Sequence, residues 1–231
     1  MTENRVPMNR ATVVMALGLI VVPTASYYLP VLPEVFAVLT ACVFLWLEPA
    51  PPIVSLGLNR PKSIGRALLI GVVVGLGLFL LNRLLLLPWL DYFTGTRRDL
   101  SKLDYLRGNV PGLLVLLPTI WITAGFCEEV IYRAYAITRF DRLFGSSAIS
   151  AAAAIVLSAT VFALAHWYQG VVGMLVTGFA GLALGILFVA RSRNLWSNIC
   201  AHIVVDTVSL IAIGLNWDRP LDAFGRSLFG L

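Results

Sequence analysis

Residues 170–190 read GVVGMLVTGFAGLALGILFVA and contain no charged side chain. A transmembrane helix needs about 20 consecutive apolar residues, so this stretch alone can cross a bilayer. The whole chain has the same character, because 59% of its 231 residues are hydrophobic and only 13% are charged. Soluble domains carry about 25% charged residues. A soluble protein of this size could not bury such an excess of apolar surface, and we therefore predict an integral membrane protein.

Further apolar runs of similar length predict an all-α, polytopic transmembrane bundle of about seven helices. The predicted helices are residues 11–28, 31–48, 65–88, 111–138, 147–167, 170–190 and 195–215. The first run also fits a signal peptide, since basic residues precede it, but a second apolar run follows directly and favours a retained helix. A tight turn at 27–30 is expected to join the first two helices. With no internal repeat, we predict a single membrane domain spanning 1–231.

The net charge of +5 is explained by membrane topology rather than by nucleic-acid binding. Most basic residues fall in short gaps between apolar runs, where they fix the orientation of a membrane protein. No patch combines basic and aromatic residues as a nucleic-acid site does. The distribution of Lys and Arg favours a cytoplasmic N-terminus. We predict membrane lipids as partners, no nucleic acid, and a location in a bacterial inner (plasma) membrane.

The most informative side chains are the ionisable ones inside apolar runs. Each costs about 3 kcal/mol or more at membrane depth, so such groups persist when they are paired or functional. They are Arg83 in the third run, Glu128, Glu129 and Arg133 in the fourth, His166 ending the fifth, and His202 and Asp206 in the seventh. Arg83 is expected either to snorkel or to pair with an acid on a neighbouring helix. The two histidines are the only ones in the chain.

The fourth run places two adjacent glutamates on different faces of one helix, because successive residues differ by about 100° in direction. Glu129 and Arg133 are spaced i,i+4 and are expected to form a pair. Glu128 is then free to point elsewhere, and a carboxyl group in an apolar pocket can act as a general base or acid at cellular pH. The same pattern also occurs at solvated helix ends, so it does not decide the function alone.

The fifth and seventh runs each carry a histidine with an i,i+4 partner. Phe162 and His166 share one helix face, and His202 and Asp206 share another. Asp206 can orient the His202 ring. A membrane histidine is often a structural hydrogen-bonding residue, and that reading stays open for each histidine taken alone.

Three motifs taken together resemble one known family. They are Glu128-Glu129-x-x-x-Arg133, Phe162-x-x-x-His166 and His202-x-x-x-Asp206. In order, spacing and placement on the fourth, fifth and seventh helices they are similar to the CAAX protease and bacteriocin-processing (CPBP, or Abi) family, which includes the type II CAAX prenyl endopeptidases. The resemblance covers residues 108–210, which we expect to be the catalytic core.

The resemblance implies an intramembrane protease that acts on a membrane-associated or lipidated peptide. By this resemblance Glu128 would be the general base, with His166 beside it on the attacking water. His202 and Asp206 would stabilise the tetrahedral intermediate. The supporting residues would be Glu129, Arg133 and Phe162.

One residue departs from the family pattern, because Asp206 stands where the prenyl-protein proteases typically carry Asn. Asn donates a hydrogen bond in any protonation state, whereas Asp donates only when protonated. Asp206 is therefore expected either to be protonated or to orient His202. No cofactor is expected, although two histidines and several carboxylates could also ligate zinc. The competing functions are a proton-coupled transporter and a non-catalytic immunity or scaffolding protein.

Overall fold

The computed structural model describes residues 10–25, 33–47 and 56–231, and over them the chain is all-helical without a strand. The helices are α1 (Arg10–Ala25), α2 (Pro33–Trp46), α3 (Ile64–Thr94), α4 (Val110–Leu143), α5 (Ala148–Ala165), α6 (Gly170–Ala190), α7 (Trp196–Gly214) and α8 (Asp218–Ser227). Helices α3 to α7 are long and apolar enough to span a membrane, while α1 and α2 are shorter apolar helices. The prediction of a polytopic helical bundle is confirmed. The turn expected at 27–30 lies outside the described residues.

The outward faces of the long helices are apolar. Large exposed side chains on them include Leu69, Val73, Val115, Val156 and Ile186. A soluble protein rarely exposes so much apolar surface to water, whereas the hydrocarbon of a bilayer can cover it. The fold therefore orients its apolar side chains towards lipid as well as towards its own core.

Small residues bring the central helices into close contact. A Cβ atom at Gly71 of α3 would lie 2.4 Å from the Cys200 Cβ of α7, and one at Gly75 would lie 2.6 Å from the Ala201 carbonyl oxygen. Glycine at these positions lets the two backbones approach, as is common where membrane helices pack. Helix α7, which carries two of the predicted site residues, is thereby held against α3.

Helix α3 is longer than predicted, and a helix that we did not predict, α8, packs against it. It continues past residue 88 to Thr94, and α8 packs against its second half. The Arg83 Nη1 atom donates to both carboxylate oxygens of Asp222 on α8, at 2.9 Å each. Arg83 is thus paired with an acid on a neighbouring helix, which was one of its two expected states.

Helix α4 continues through Pro118 without a break. Pro118 has no N–H, so one backbone hydrogen bond of the helix is missing there. From Trp121 to Ile137 its backbone is π-helical, so each turn is wider than in an α-helix. π-helical turns frequently occur at functional sites. Both glutamates of the fourth run lie in this wide stretch.

Residues 95–109, which join α3 to α4 and are called here the cap segment, contain one short 3₁₀ turn, Ser101–Leu106. The Asp99 N–H donates to the Gln169 carbonyl oxygen at 3.0 Å, and the Gly108 N–H donates to the Gly214 carbonyl oxygen at 2.8 Å. The cap segment therefore lies across one end of the bundle, beside the end of α5 and the end of α7.

Candidate active site

Glu129 is the centre of a fully buried network and has no exposed surface. Its Oε1 atom lies 2.9 Å from Arg133 Nη1 and 2.7 Å from His202 Nδ1, and its Oε2 atom accepts from Asn198 Nδ2 at 3.3 Å. The expected pairing of Glu129 with Arg133 is present. The same carboxylate also links α4 to α7, because both His202 and Asn198 lie on that helix.

His202 presents its other ring nitrogen to two carboxylates. Its Nε2 atom is 3.7 Å from Glu128 Oε2 and 3.5 Å from Asp206 Oδ2. Because a carboxylate on Nδ1 fixes the orientation and tautomer of an imidazole, Glu129 is the residue that orients this ring. The expected contact of Asp206 with the ring is present at the opposite nitrogen, and Glu129 is a second carboxylate partner that the sequence did not indicate.

His166 lies at the end of α5 and is held by its own helix. Its Nδ1 atom donates to the Phe162 carbonyl oxygen at 2.9 Å, which leaves Nε2 with a free lone pair when the ring is neutral. Within the described part of the chain, His166 makes no hydrogen bond to Glu128, His202 or Asp206. The structure thus brings three of the four predicted catalytic side chains into direct proximity and places the fourth beside them.

Phe162 connects the two histidines. Its ring centroid lies 4.8 Å from that of His166 and 6.2 Å from that of His202, both in edge-on orientation. The Arg133 guanidinium carbon lies 4.5 Å from the centre of the same ring. Phe162 therefore packs against both imidazoles and against the cation of the buried ion pair, which positions α5 relative to α4 and α7.

The two acids that face His202 are largely buried but remain partly accessible to solvent. The exposed fraction of the side chain is 14% for Glu128 and 29% for Asp206, compared with 8% for His202. Access is therefore greatest at Asp206. A site of this kind keeps electrostatic interactions strong while leaving a route for a reactant.

Sequence reasoning missed Asn198 and Gln169. Asn198 is fully buried one turn before His202, donates to the Leu184 carbonyl oxygen at 2.7 Å, and reaches Glu129 from the same helix face. Its i,i+4 spacing from His202 was the available signal. Gln169 is also buried and accepts from Arg98 Nε at 2.8 Å, a long-range contact with no local sequence signal.

Comparison with known proteins supports the assignment suggested by the motifs. The family described as Type II CAAX prenyl endopeptidase Rce1-like matches residues 110–208, a span inside the predicted core 108–210. Over this segment the protein is similar to the Rce1-like family. The matched segment includes the four predicted catalytic residues, Glu128, His166, His202 and Asp206, and it confirms the resemblance to CAAX proteases. No curated protein and no solved structure matches the chain.

The close contact of α4 and α7 next to the candidate site gives a testable prediction. A Cβ atom at Gly125 would lie 2.4 Å from Ile203 Cγ1, one turn from Glu128. Gly125→Ala should push the two helices apart and lower the rate of the reaction catalysed at this site by about a hundredfold, because small misplacements of reacting groups carry such costs. The measurement is kcat/KM of the purified protein in nanodiscs.

Two further variants complete this experiment. Gly77→Ala adds the same methyl group to α3, where nothing lies within 4 Å, and should leave the rate unchanged. Gly125→Ala combined with Ile203→Ala should recover activity, because it removes the obstructing atoms. An inactive double variant with normal thermal stability would contradict the packing explanation.

Proposed function

We propose that the protein is an intramembrane endopeptidase that hydrolyses a peptide bond of a membrane-associated or lipidated peptide, using water activated by Glu128 and His166. The observation that carries the proposal is the arrangement of Glu128 and Asp206 around His202 Nε2, at 3.7 and 3.5 Å, inside the Rce1-like segment. Amide hydrolysis needs a base for water, a donor for the oxyanion and a proton for the leaving amine.

Glu128 is the proposed general base. It takes a proton from water while the water oxygen attacks the carbonyl carbon of the substrate. His166 contributes the free Nε2 lone pair that accepts the second hydrogen of the same water and so orients it. This division of labour is supported by the hydrogen bond that engages His166 Nδ1 with its own helix.

His202 is the proposed oxyanion donor. Because Nδ1–H donates to Glu129, Nε2 carries a proton only when the imidazole is protonated. That Nε2–H is directed towards the space shared by Glu128 and Asp206, where the substrate carbonyl would lie. Asp206 adds a second donor when it is protonated. When it is ionised, it favours the protonated imidazole, whose Nε2–H then donates to the developing negative charge.

The reaction ends with the collapse of the tetrahedral intermediate. The carbonyl is re-formed, the bond between carbon and nitrogen breaks, and Glu128 returns its proton to the leaving amine. The products are a new carboxyl terminus and a new amino terminus, and the enzyme regains its starting protonation state. No external oxidant or reductant is needed.

A metal-independent reaction is part of the proposal. Within the described ranges, no group of three His, Cys, Asp or Glu side chains is arranged to hold a metal ion. We expect dialysis of the purified protein against EDTA and then phenanthroline to leave the rate of cleavage unchanged. Loss of activity that added zinc restores would contradict this prediction, and metal content measured by mass spectrometry provides the control.

We also propose that the protein resides in a bacterial inner membrane with its N-terminus in the cytoplasm. The basic residues between the apolar runs support this orientation. It places the cap segment and the end of α5 on the outer side. Alkaline phosphatase fused after Gly108 should then be active in the periplasm, and fused after Arg193 it should be inactive. The reverse pattern would overturn the orientation.

Comparative proteomics of the host tests the proposed activity directly. Membrane and secreted peptides are compared between cells that make the wild-type protein and cells that make Glu128→Gln at equal abundance. A new peptide terminus should be present with the wild type and absent with the variant. If no terminus depends on Glu128 under any growth condition, the protease proposal fails.

The same variant discriminates the competing functions. A scaffolding or immunity protein should retain its phenotype when Glu128 is replaced by Gln, since the side chain keeps its size. A proton-coupled transporter should instead show substrate-dependent proton uptake in liposomes that the variant loses. Retained phenotype or coupled proton flux without any cleaved product would favour these alternatives.

A further inference from the structure

The cap segment carries a cation to the edge of the site. Arg98 is half-buried, its Nε atom donates to Gln169 at 2.8 Å, and its side-chain stem packs against α6, where a Cβ atom at Gly173 would lie 3.5 Å from Arg98 Cγ. Gln169 is itself fixed to the site, because its backbone N–H donates to the His166 carbonyl oxygen at 2.9 Å. The Arg98 guanidinium is therefore held in a defined position relative to His166.

The Arg98 guanidinium uses only part of its hydrogen-bonding capacity. Over the part of the chain that the structure describes, Gln169 is the one hydrogen-bond acceptor of Arg98, and both Nη atoms have none. Burial, followed by the repulsion of Arg83, lowers the pKa of Arg98 to about 10, while Asp206 acts in the opposite direction. Arg98 remains a cation at neutral pH and lies within electrostatic range of the site.

A second cation lies nearby. Lys102 Nζ is 4.5 Å from the centre of the Tyr168 ring, and Tyr168 accepts from Gln169 Nε2 at 3.0 Å. Arg98 and Lys102 of the cap segment therefore place two cations at the rim of the site, beside the end of α5, whereas its interior holds the acids Glu128 and Asp206. An anionic group of a bound peptide would be repelled by the interior and attracted to this rim.

We propose that Arg98 binds a carboxylate of the peptide substrate next to the scissile bond, using the two Nη atoms that have no acceptor in the described residues. The inference rests on the proposed peptidase function and adds a substrate feature to it. A guanidinium fork matches a carboxylate in a bidentate geometry that Lys cannot reproduce. The carboxylate is either the C-terminal group of a short leaving peptide or an Asp or Glu side chain.

The experiment uses the full chain in nanodiscs and a peptide cleaved by the wild type. The peptide is made in three forms: with a free C-terminus, with a C-terminal carboxamide, and with its acidic side chains changed to amides. Arg98→Gln should raise KM about tenfold to a hundredfold for the form that retains the recognised carboxylate. It should have no effect on the form that lacks this group, which identifies the source of the carboxylate.

Two variants serve as controls. Arg97→Gln removes the same charge from the neighbouring, exposed position and should leave KM unchanged. Arg98→Lys keeps the charge without the fork and should recover part of the affinity. Thermal unfolding of each variant separates a loss of folding from a loss of recognition.

The outcomes distinguish this inference from the proposed function. If the wild type cleaves acid and amide peptides equally well, or if Arg98→Gln slows all three forms equally, the peptidase stands and Arg98 is a positioning residue only. If the wild type cleaves no peptide and no peptide terminus in the host depends on Glu128, the peptidase proposal fails and the Arg98 inference fails with it.

Discussion

The Glu128→Gln protein is expected to fold normally and to cleave its substrate about 10²–10⁴ times more slowly than the wild type, which is the usual contribution of a general base. Glutamine keeps the size of the side chain and its position 3.7 Å from His202, but it cannot take a proton from water. The buried network is left intact, because Glu129 and not Glu128 joins Arg133, Asn198 and His202.

The loss should appear in kcat with little change in KM, because the base acts on water rather than on the bound peptide. The measurement is steady-state cleavage by purified protein in nanodiscs, together with thermal unfolding. Asp104→Asn makes the same change from acid to amide at an exposed position of the cap segment and serves as the control. Wild-type kcat for Glu128→Gln would remove Glu128 from the chemistry, even if the protein proved to be a peptidase.

The sequence allowed much of the fold to be predicted because the bilayer restricts the choices. A run of apolar residues as long as 170–190 has few alternatives to a membrane-spanning helix. The short terminal helix α8 was missed because it is polar and amphipathic, so neither length nor hydropathy marks it. Its attachment depends on the long-range pair between Asp222 and Arg83, which no local pattern encodes.

The candidate site shows the same division between local and long-range information. The spacing of Glu129 and Arg133 predicted their pairing, because i,i+4 neighbours lie on one face of a helix. The pairing of Glu129 with His202 depends on how α4 is rotated against α7, and helix rotation is fixed by packing across helices. For this reason the sequence indicated Asp206, which lies 3.5 Å from Nε2, as a partner of His202 but gave no sign of Glu129 on Nδ1.

Glu129→Leu is expected to destabilise the protein by about 3–5 kcal/mol, the usual cost of leaving one partner of a buried ion pair without the other. Arg133 is 1% exposed, and its Nη atoms have no aligned hydrogen-bond acceptor among the described residues, so Glu129 is its main compensation. For a chain of this length the midpoint of thermal unfolding should fall by about 10 °C. The measurement is thermal unfolding in nanodiscs.

Glu129→Leu combined with Arg133→Met should recover most of this stability, because the unpaired charge is gone and methionine packs well against the Phe162 ring. The double variant should nevertheless remain inactive, since His202 lacks the carboxylate that orients its ring. Stability and activity would then separate, which a purely structural role for Glu129 does not allow. A stable double variant with wild-type kcat would show that Glu129 contributes packing alone and that His202 needs no partner on Nδ1.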